Sequence, residues 1–254
     1  MSLKPQTGNR KPKLIVALDV DNLQEAERMV SLLYPAVNIF KVGSQLFTAF
    51  GPKAVEMVGG KGARVFLDLK FHDIPHTVFQ STGNVLSLAV EPLPNVERSL
   101  QPPVFMMTVH IKGGRKMLEE AMRGAAEKAA VLNIQRPFIV GVTRLTSDSN
   151  EIDTLTQVLE AAGLAKDTGL DGVVCSVHEA ARVRKECGED FLIVTPGIRP
   201  EGYPSDDQSR AATAGKAAEA GVDFIVVGRP IIKAENPLGV ARDIINQICS
   251  LKKQ

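Results

Sequence analysis

Short apolar runs rich in β-branched residues recur along the chain, and each is followed by a longer stretch whose apolar positions repeat at helical spacing. Eight runs are legible: Leu14 to Leu18, Ile39 to Val42, Val65 to Leu69, Val104 to Val109, Phe138 to Val142, Gly172 to Cys175, Phe191 to Val194 and Phe224 to Val227. They are nearly continuous in apolar character rather than alternating, the pattern of strands buried on both faces in a parallel sheet covered by helices. Between them, Asn22 to Leu33 opens on a residue suited to an N-cap and places Leu23, Ala26, Met29, Val30 and Leu33 on one face. Similar patterns predict helices over Gly114 to Leu132, Ile152 to Thr168 and Gln208 to Gly221. Eight strands and roughly eight helices in about 240 residues fit a closed (β/α)8 TIM barrel, one domain spanning 14–254. An open, doubly wound sheet is the alternative arrangement of the same units.

Two segments depart from the rhythm. Glu91 to Pro103 carries four prolines, too many for a continuous helix or a central strand, and reads as an inserted surface loop. Met1 to Lys13 is polar and basic, lacks the apolar stretch of a signal peptide, and reads as a flexible arm or a cloning remnant. Composition then narrows the partners. Thirty Lys and Arg against 29 Asp and Glu leave a formal charge of +1, which argues against nucleic acid or an anionic membrane as a general partner. Cys175, Cys187 and Cys249 form no CxxC pair and lie far apart, which suggests a reducing, cytoplasmic setting rather than a disulfide frame or a zinc site.

In a barrel of this class the carboxyl ends of the strands face the site, so polar residues there carry information that surface charges do not. Asp19 closes the first run, Lys41 interrupts the second, and Asp68 and Lys70 alternate along the third. Thr108 or His110 ends the fourth, Thr143 and Thr146 follow the fifth, Thr195 the seventh, and Gly228 with Arg229 the eighth. Residues two apart on a strand share a face, so Asp68 and Lys70 are expected to project together while Leu67 and Leu69 face away. Charges in such runs are costly to bury unless they pair, which predicts an Asp/Lys network. Asp68 and Asp73 could hold magnesium, but Lys70 between them would compete as a cation, so the charge network ranks above a metal. Thr195 to Pro200 (TPGIRP) and Val226 to Ile231 (VVGRPI) combine glycine, for close backbone approach, with an arginine fork suited to phosphate. The loops after strands seven and eight are a frequent phosphate site of the fold.

Taken together, these motifs resemble the orotidine 5′-phosphate decarboxylase family. The resemblance rests on ALD at Ala17 to Asp19, KVG at Lys41 to Gly43 and DLKFHDIPHT at Asp68 to Thr77. It continues through LTS at Leu145 to Ser147, DGVVCSVHEA at Asp171 to Ala180, TPGIRP and VVGRPI. It implies decarboxylation of orotidine monophosphate to uridine monophosphate, in pyrimidine nucleotide synthesis, without a metal or an organic cofactor. By motif, Lys41, Asp68, Lys70 and Asp73 would form the alternating charge network, with Lys70 as the proton donor. Asp73, Ile74 and Thr77 would reach the site of a partner subunit in a homodimer. Asp19 and Lys41 would contact the ribose, Thr146 the pyrimidine edge, Gln208 both base and phosphate, and Gly228 with Arg229 the phosphate. Arg199 matches a substrate-site arginine. A magnesium-dependent sugar-phosphate aldolase or synthase, and a non-catalytic sensor of phosphorylated metabolites, are the alternatives on the same barrel.

Overall fold

The computed structural model describes residues 11–88, 102–144, 154–200 and 212–250. Eight parallel strands close into a ring in chain order: β1 (Lys13–Ala17), β2 (Ile39–Gly43), β3 (Arg64–Phe71), β4 (Val104–His110), β5 (Phe138–Val142), β6 (Gly172–Val174), β7 (Leu192–Thr195) and β8 (Phe224–Val227). Closure comes from β8 pairing with β1, in register from Lys13 opposite Phe224 to Val16 opposite Val227. The fold is a single-domain TIM barrel, and the doubly wound alternative is excluded because no sheet edge is left open. β1 starts one residue before the predicted Leu14, and Lys11 reaches across to donate to the Cys249 carbonyl.

Ten helices of the described residues surround the ring: α1 (Leu23–Leu33), α2 (Ser44–Phe50), α3 (Pro52–Gly60), α4 (Pro75–Val85), α5 (Gly114–Leu132), α6 (Thr154–Asp167), α7 (Val177–Cys187), α8 (Ala214–Glu219), α9 (Arg229–Ile232) and α10 (Pro237–Ser250). Asn22 caps α1 by accepting from the Glu25 backbone N–H at 2.8 Å, and its buried face is Ala26, Met29, Val30 and Leu33. α5 matches its predicted bounds. The helix expected over Gln208 to Gly221 is shorter where it is described: α8 begins only at Ala214, with Thr213 as its cap. The cause is a bridge across the loop, because Ala212 is already committed to pairing with Ile198 and cannot enter a helix. Residues 208–211, most of the proline-rich stretch and the first ten residues lie outside the described residues. None of the described helices is long and apolar enough to cross a membrane.

The continuous apolar character of the strands follows from two concentric cores. Ile15, Ala17, Phe66, Met106, Val140, Leu192, Val194 and Phe224 fill the inside of the ring. Leu14, Val16, Leu67, Met107, Ile139, Val173 and Ile225 point outward and pack under the helices. α4 and α5 approach closely because Gly124 has no side chain: a Cβ there would lie 2.1 Å from the Phe79 carbonyl oxygen.

The amino ends of the later strands are fastened by two matching clamps. Asp171, just before β6, takes both arms of the Arg136 guanidinium at 2.6 and 2.9 Å and accepts the Ile139 N–H of β5. Asp223, just before β8, is bound by Arg184 at 2.6 Å and accepts the Ile193 N–H of β7. The second pair is the more buried, with side-chain exposures of 10% for Arg184 and 0% for Asp223. Removing one member of such a pair strands the other charge in a dry site. Asp223→Ala should therefore lower unfolding free energy by about 3–5 kcal/mol in a urea titration, and a loss under about 1 kcal/mol would show that the clamp contributes little.

Candidate active site

The carboxyl ends of the strands surround a cavity of about 520 Å³. β3 supplies its central charges. Phe66, Asp68 and Lys70 line the cavity, whereas Leu67 belongs to the outer core and Leu69 packs against it. The expected sharing of a face by Asp68 and Lys70 is therefore found, but not by simple strand alternation. Pairing with β4 jumps from Leu67 opposite Met107 to Phe71 opposite Val109, so three residues of β3 face Thr108 alone. Within this bulge Lys70 takes a left-handed backbone, φ 52°, which is unfavourable for a side chain with a Cβ. Thr108 holds the bulge from both sides: its hydroxyl accepts the Lys70 backbone N–H at 2.8 Å and donates to Asp68 Oδ1 at 3.0 Å.

Four charges alternate around the wall. Lys70 Nζ lies 2.9 Å from both oxygens of Asp68. Lys41 Nζ, from β2, is 3.7 Å from Asp68 and 2.9 Å from Asp19 at the end of β1. The network within one chain is thus Asp19, Lys41, Asp68 and Lys70. Each ammonium is flanked by carboxylate, which is how four charges persist on a half-buried apolar wall. Gly43 leaves room for this arrangement, since a Cβ there would sit 2.7 Å from Lys41 Nζ. Beside β3, His72 and His110 stack with ring centroids 5.4 Å apart. Burial, helped by His72 and the Lys112 and Lys70 ammonium groups, holds His110 below the ordinary imidazole value.

The other side of the cavity belongs to β7 and β8. Gly197, φ 79°, turns the chain after β7 in a conformation glycine adopts without strain. Arg199, buried at 5% exposure, follows it into the cavity, and its backbone N–H donates to Ala212 at 2.9 Å. After β8, Gly228 and Arg229 also line the cavity. Because β8 closes onto β1, Gly228 is a neighbour of the charge network: a Cβ on it would lie 3.6 Å from Asp19 Oδ2. Among the described residues, no group of three or more His, Cys, Asp or Glu side chains could hold a metal ion.

Comparison with known proteins agrees with this geometry. Residues 12–244 match the model of the orotidine 5′-phosphate decarboxylase / HUMPS family. The chain is 42% identical to the orotidine 5′-phosphate decarboxylase of Moorella thermoacetica, with 95% of this chain and 94% of that protein covered. It is 43% identical to that of Syntrophotalea carbinolica, covering 94% and 96%. Among solved structures, the orotidine 5′-phosphate decarboxylase of Lactobacillus acidophilus superimposes with a TM-score of 0.77 at 34% identity, covering 93% of this chain and 99% of that one.

The chain belongs to the orotidine 5′-phosphate decarboxylase family. With membership come the activity class, a carboxy-lyase, and the pathway, pyrimidine nucleotide synthesis.

Of the residues singled out from sequence, the fold brings Asp19, Lys41, Asp68, Lys70, Arg199, Gly228 and Arg229 to one cavity. It does not bring Asp73, Ile74 or Thr77 there. All three are exposed beyond β3 and at the start of α4, and the Asp73 carboxylate accepts the neighbouring Ile74 N–H at 2.6 Å. Thr146 and Gln208 lie outside the described residues. Sequence reasoning gave no role to several residues that the structure places here. Gln45 lines the cavity and donates to Asp21 at 2.7 Å, Arg144 lines it while donating to Thr154, and Lys233 lines it one helical turn after Arg229. Thr108 was noted only as a strand end. A polar residue in an otherwise apolar strand (VFMMTVH) was its one available signal.

Thr108→Val keeps the shape but removes both hydrogen bonds that seat Lys70 and Asp68. A lost hydrogen bond to a charged group is worth about 1.5–3 kcal/mol, so kcat should fall at least about tenfold, with KM changed less than about twofold. Steady-state kinetics will read the split, and an unchanged kcat would show that the hydroxyl does not position Lys70.

Proposed function

We propose that the cavity binds orotidine monophosphate and releases uridine monophosphate and carbon dioxide, with Lys70 as the proton donor. The observation that carries this reading is the order of groups around the ring. Gly228 and Arg229 after β8 adjoin Asp19 just past β1, then come Lys41 on β2 and Asp68 and Lys70 on β3. A nucleotide fits that order as phosphate, ribose and base. Arg229 and the Gly228 backbone take the phosphate, Asp19 and Lys41 the ribose hydroxyls, and Lys70 stands at the base. Arg199, and beyond the described residues Thr146 and Gln208, complete the enclosure in this reading.

The chemistry follows from the network. The bond between the pyrimidine ring and its carboxylate breaks, the electron pair stays on the ring carbon, and the Lys70 ammonium delivers a proton to it. Lys70 then regains its proton from solvent. A positioned general acid contributes about 100- to 10,000-fold, which falls short for a carbanion the ring cannot delocalise. Preorganised charge must supply the rest, and the Asp68 carboxylate that fixes Lys70 through both oxygens already holds that cation in place before substrate arrives. Phosphate contacts far from the reacting carbon contribute binding energy that can be used at the reaction centre.

The active form in this reading is a cytoplasmic homodimer. Ile74 is 65% exposed, a large apolar side chain on the loop that also presents Asp73. An exposed apolar residue beside a carboxylate that is absent from its own chain's network supports a loop that completes the partner's site. Three free cysteines support a reducing compartment.

The direct test follows the ultraviolet change of orotidine monophosphate with purified protein in excess chelator, where conversion to uridine monophosphate is expected. A reaction that stops in chelator and returns with magnesium would overturn the metal-free reading. Lys70→Ala should lower kcat by at least about 1,000-fold while uridine monophosphate still binds within about tenfold of wild type. Arg229→Ala should weaken the phosphorylated nucleotide far more than the nucleoside.

Mixing inactive Lys70→Ala and Asp73→Ala chains should restore measurable turnover through hybrid dimers, because one site of the hybrid holds both native groups. No recovery after demonstrated subunit exchange would remove Asp73 from a shared site.

A further inference from the structure

We propose that Lys233 is a second cation of the phosphate end, one that draws the phosphorylated substrate into the cavity rather than acting on the reacting carbon. This inference rests on the nucleotide reading of the site and extends it to a residue outside the motifs that suggested that reading.

Lys233 ends α9, and its backbone N–H donates to the Arg229 carbonyl at 3.1 Å. Four residues apart on one helical turn, Lys233 and Arg229 share a side, and both line the cavity. Its surroundings set it apart from the other lysines there. Lys41 is flanked by Asp19 and Asp68, and Lys70 by Asp68, so their charges are already balanced within the protein. Among the described residues, the Lys233 ammonium has neither an ion pair nor a hydrogen bond, and the side chain is exposed. Among the described residues, six cationic side chains and two carboxylates line the cavity. Cationic residues thus outnumber carboxylates along the described lining, whereas the chain as a whole has a formal charge of +1. A cavity so charged attracts a ligand carrying several negative charges, and a nucleotide monophosphate with a ring carboxylate has that character.

Exposure decides what Lys233 can do. A solvent-facing ammonium is screened over about 8 Å at physiological salt, so its influence belongs to encounter and binding and fades as salt is raised. It leaves the buried chemistry at Lys70 to the network. The expected signature is a KM effect that depends on both salt and phosphate.

The test measures kcat and KM for orotidine monophosphate at about 20 mM and about 500 mM salt in wild type, Lys233→Ala and Lys233→Arg, with Lys53→Ala on α3 as an exposed control. At low salt Lys233→Ala should lower kcat/KM about fivefold, chiefly through KM, and the deficit should shrink below about twofold at high salt. Lys233→Arg should recover most of the loss, and Lys53→Ala should match wild type. With orotidine, which lacks the phosphate, Lys233→Ala should be indistinguishable from wild type. An active wild type whose low-salt kcat/KM is unaffected by Lys233→Ala, or which loses as much with orotidine, would overturn the role of Lys233 alone. A wild type that fails to decarboxylate orotidine monophosphate would overturn the functional reading and this inference with it.

Discussion

The site forms one continuous wall because β8 closes onto β1. The backbone ladder from Lys13 opposite Phe224 to Val16 opposite Val227 turns a sheet into a ring. Only a ring can place the end of the last strand beside the end of the first. Asp19 and Gly228 are more than two hundred positions apart in the chain, yet closure makes them neighbours across one strand spacing. The wall from Arg229 through Asp19, Lys41 and Asp68 to Lys70 is thus a product of topology, with each strand contributing a short polar tip to an apolar cylinder.

The two ends of that cylinder divide the work. At the amino ends, Asp171 and Asp223 each join an arginine to a neighbouring strand's backbone N–H, so those charges are spent on register and strand alignment. At the carboxyl ends, the charges face a cavity and are partly open to solvent. The same residue types stabilise the fold at one end and line a cavity at the other because the first set is closed off by backbone donors and the second is left facing a space. This separation lets the loops and strand tips vary in chemistry while the barrel keeps its alignment.

Much of this was legible from the chain alone. Double-sided burial leaves a continuous apolar run, so all eight strands could be read and their carboxyl ends located. The charged residues that interrupt or end those runs then stood out, and Asp19, Lys41, Asp68, Lys70 and Arg229 all meet at the cavity. What could not be read was geometry that departs from a regular repeat. Alternation assigned Asp68 and Lys70 to one face, but the real device is a bulge pinned by Thr108, whose hydroxyl is one polar group in a buried strand and has no spacing signature. Asp19 entered the network because of a cross-strand distance, and Lys233 lined the cavity because α9 follows β8 immediately, relations of placement that no residue spacing announces. The start of α8 was misplaced for the same reason: a long-range bridge to Ile198 took Ala212 out of a segment whose composition favoured helix.

The left-handed backbone of Lys70 sets function against folding. Left-handed conformations are unfavourable by about 1–2 kcal/mol for a residue with a Cβ, and glycine would occupy the same position without that strain. The ammonium group proposed for the reaction centre is carried by a residue the backbone would rather not have there. A chain freed from the need to react could relax at this position and fold more readily. On the proposed mechanism, lysine at position 70 is a mark of selection for chemistry, legible in a torsion angle rather than in any contact.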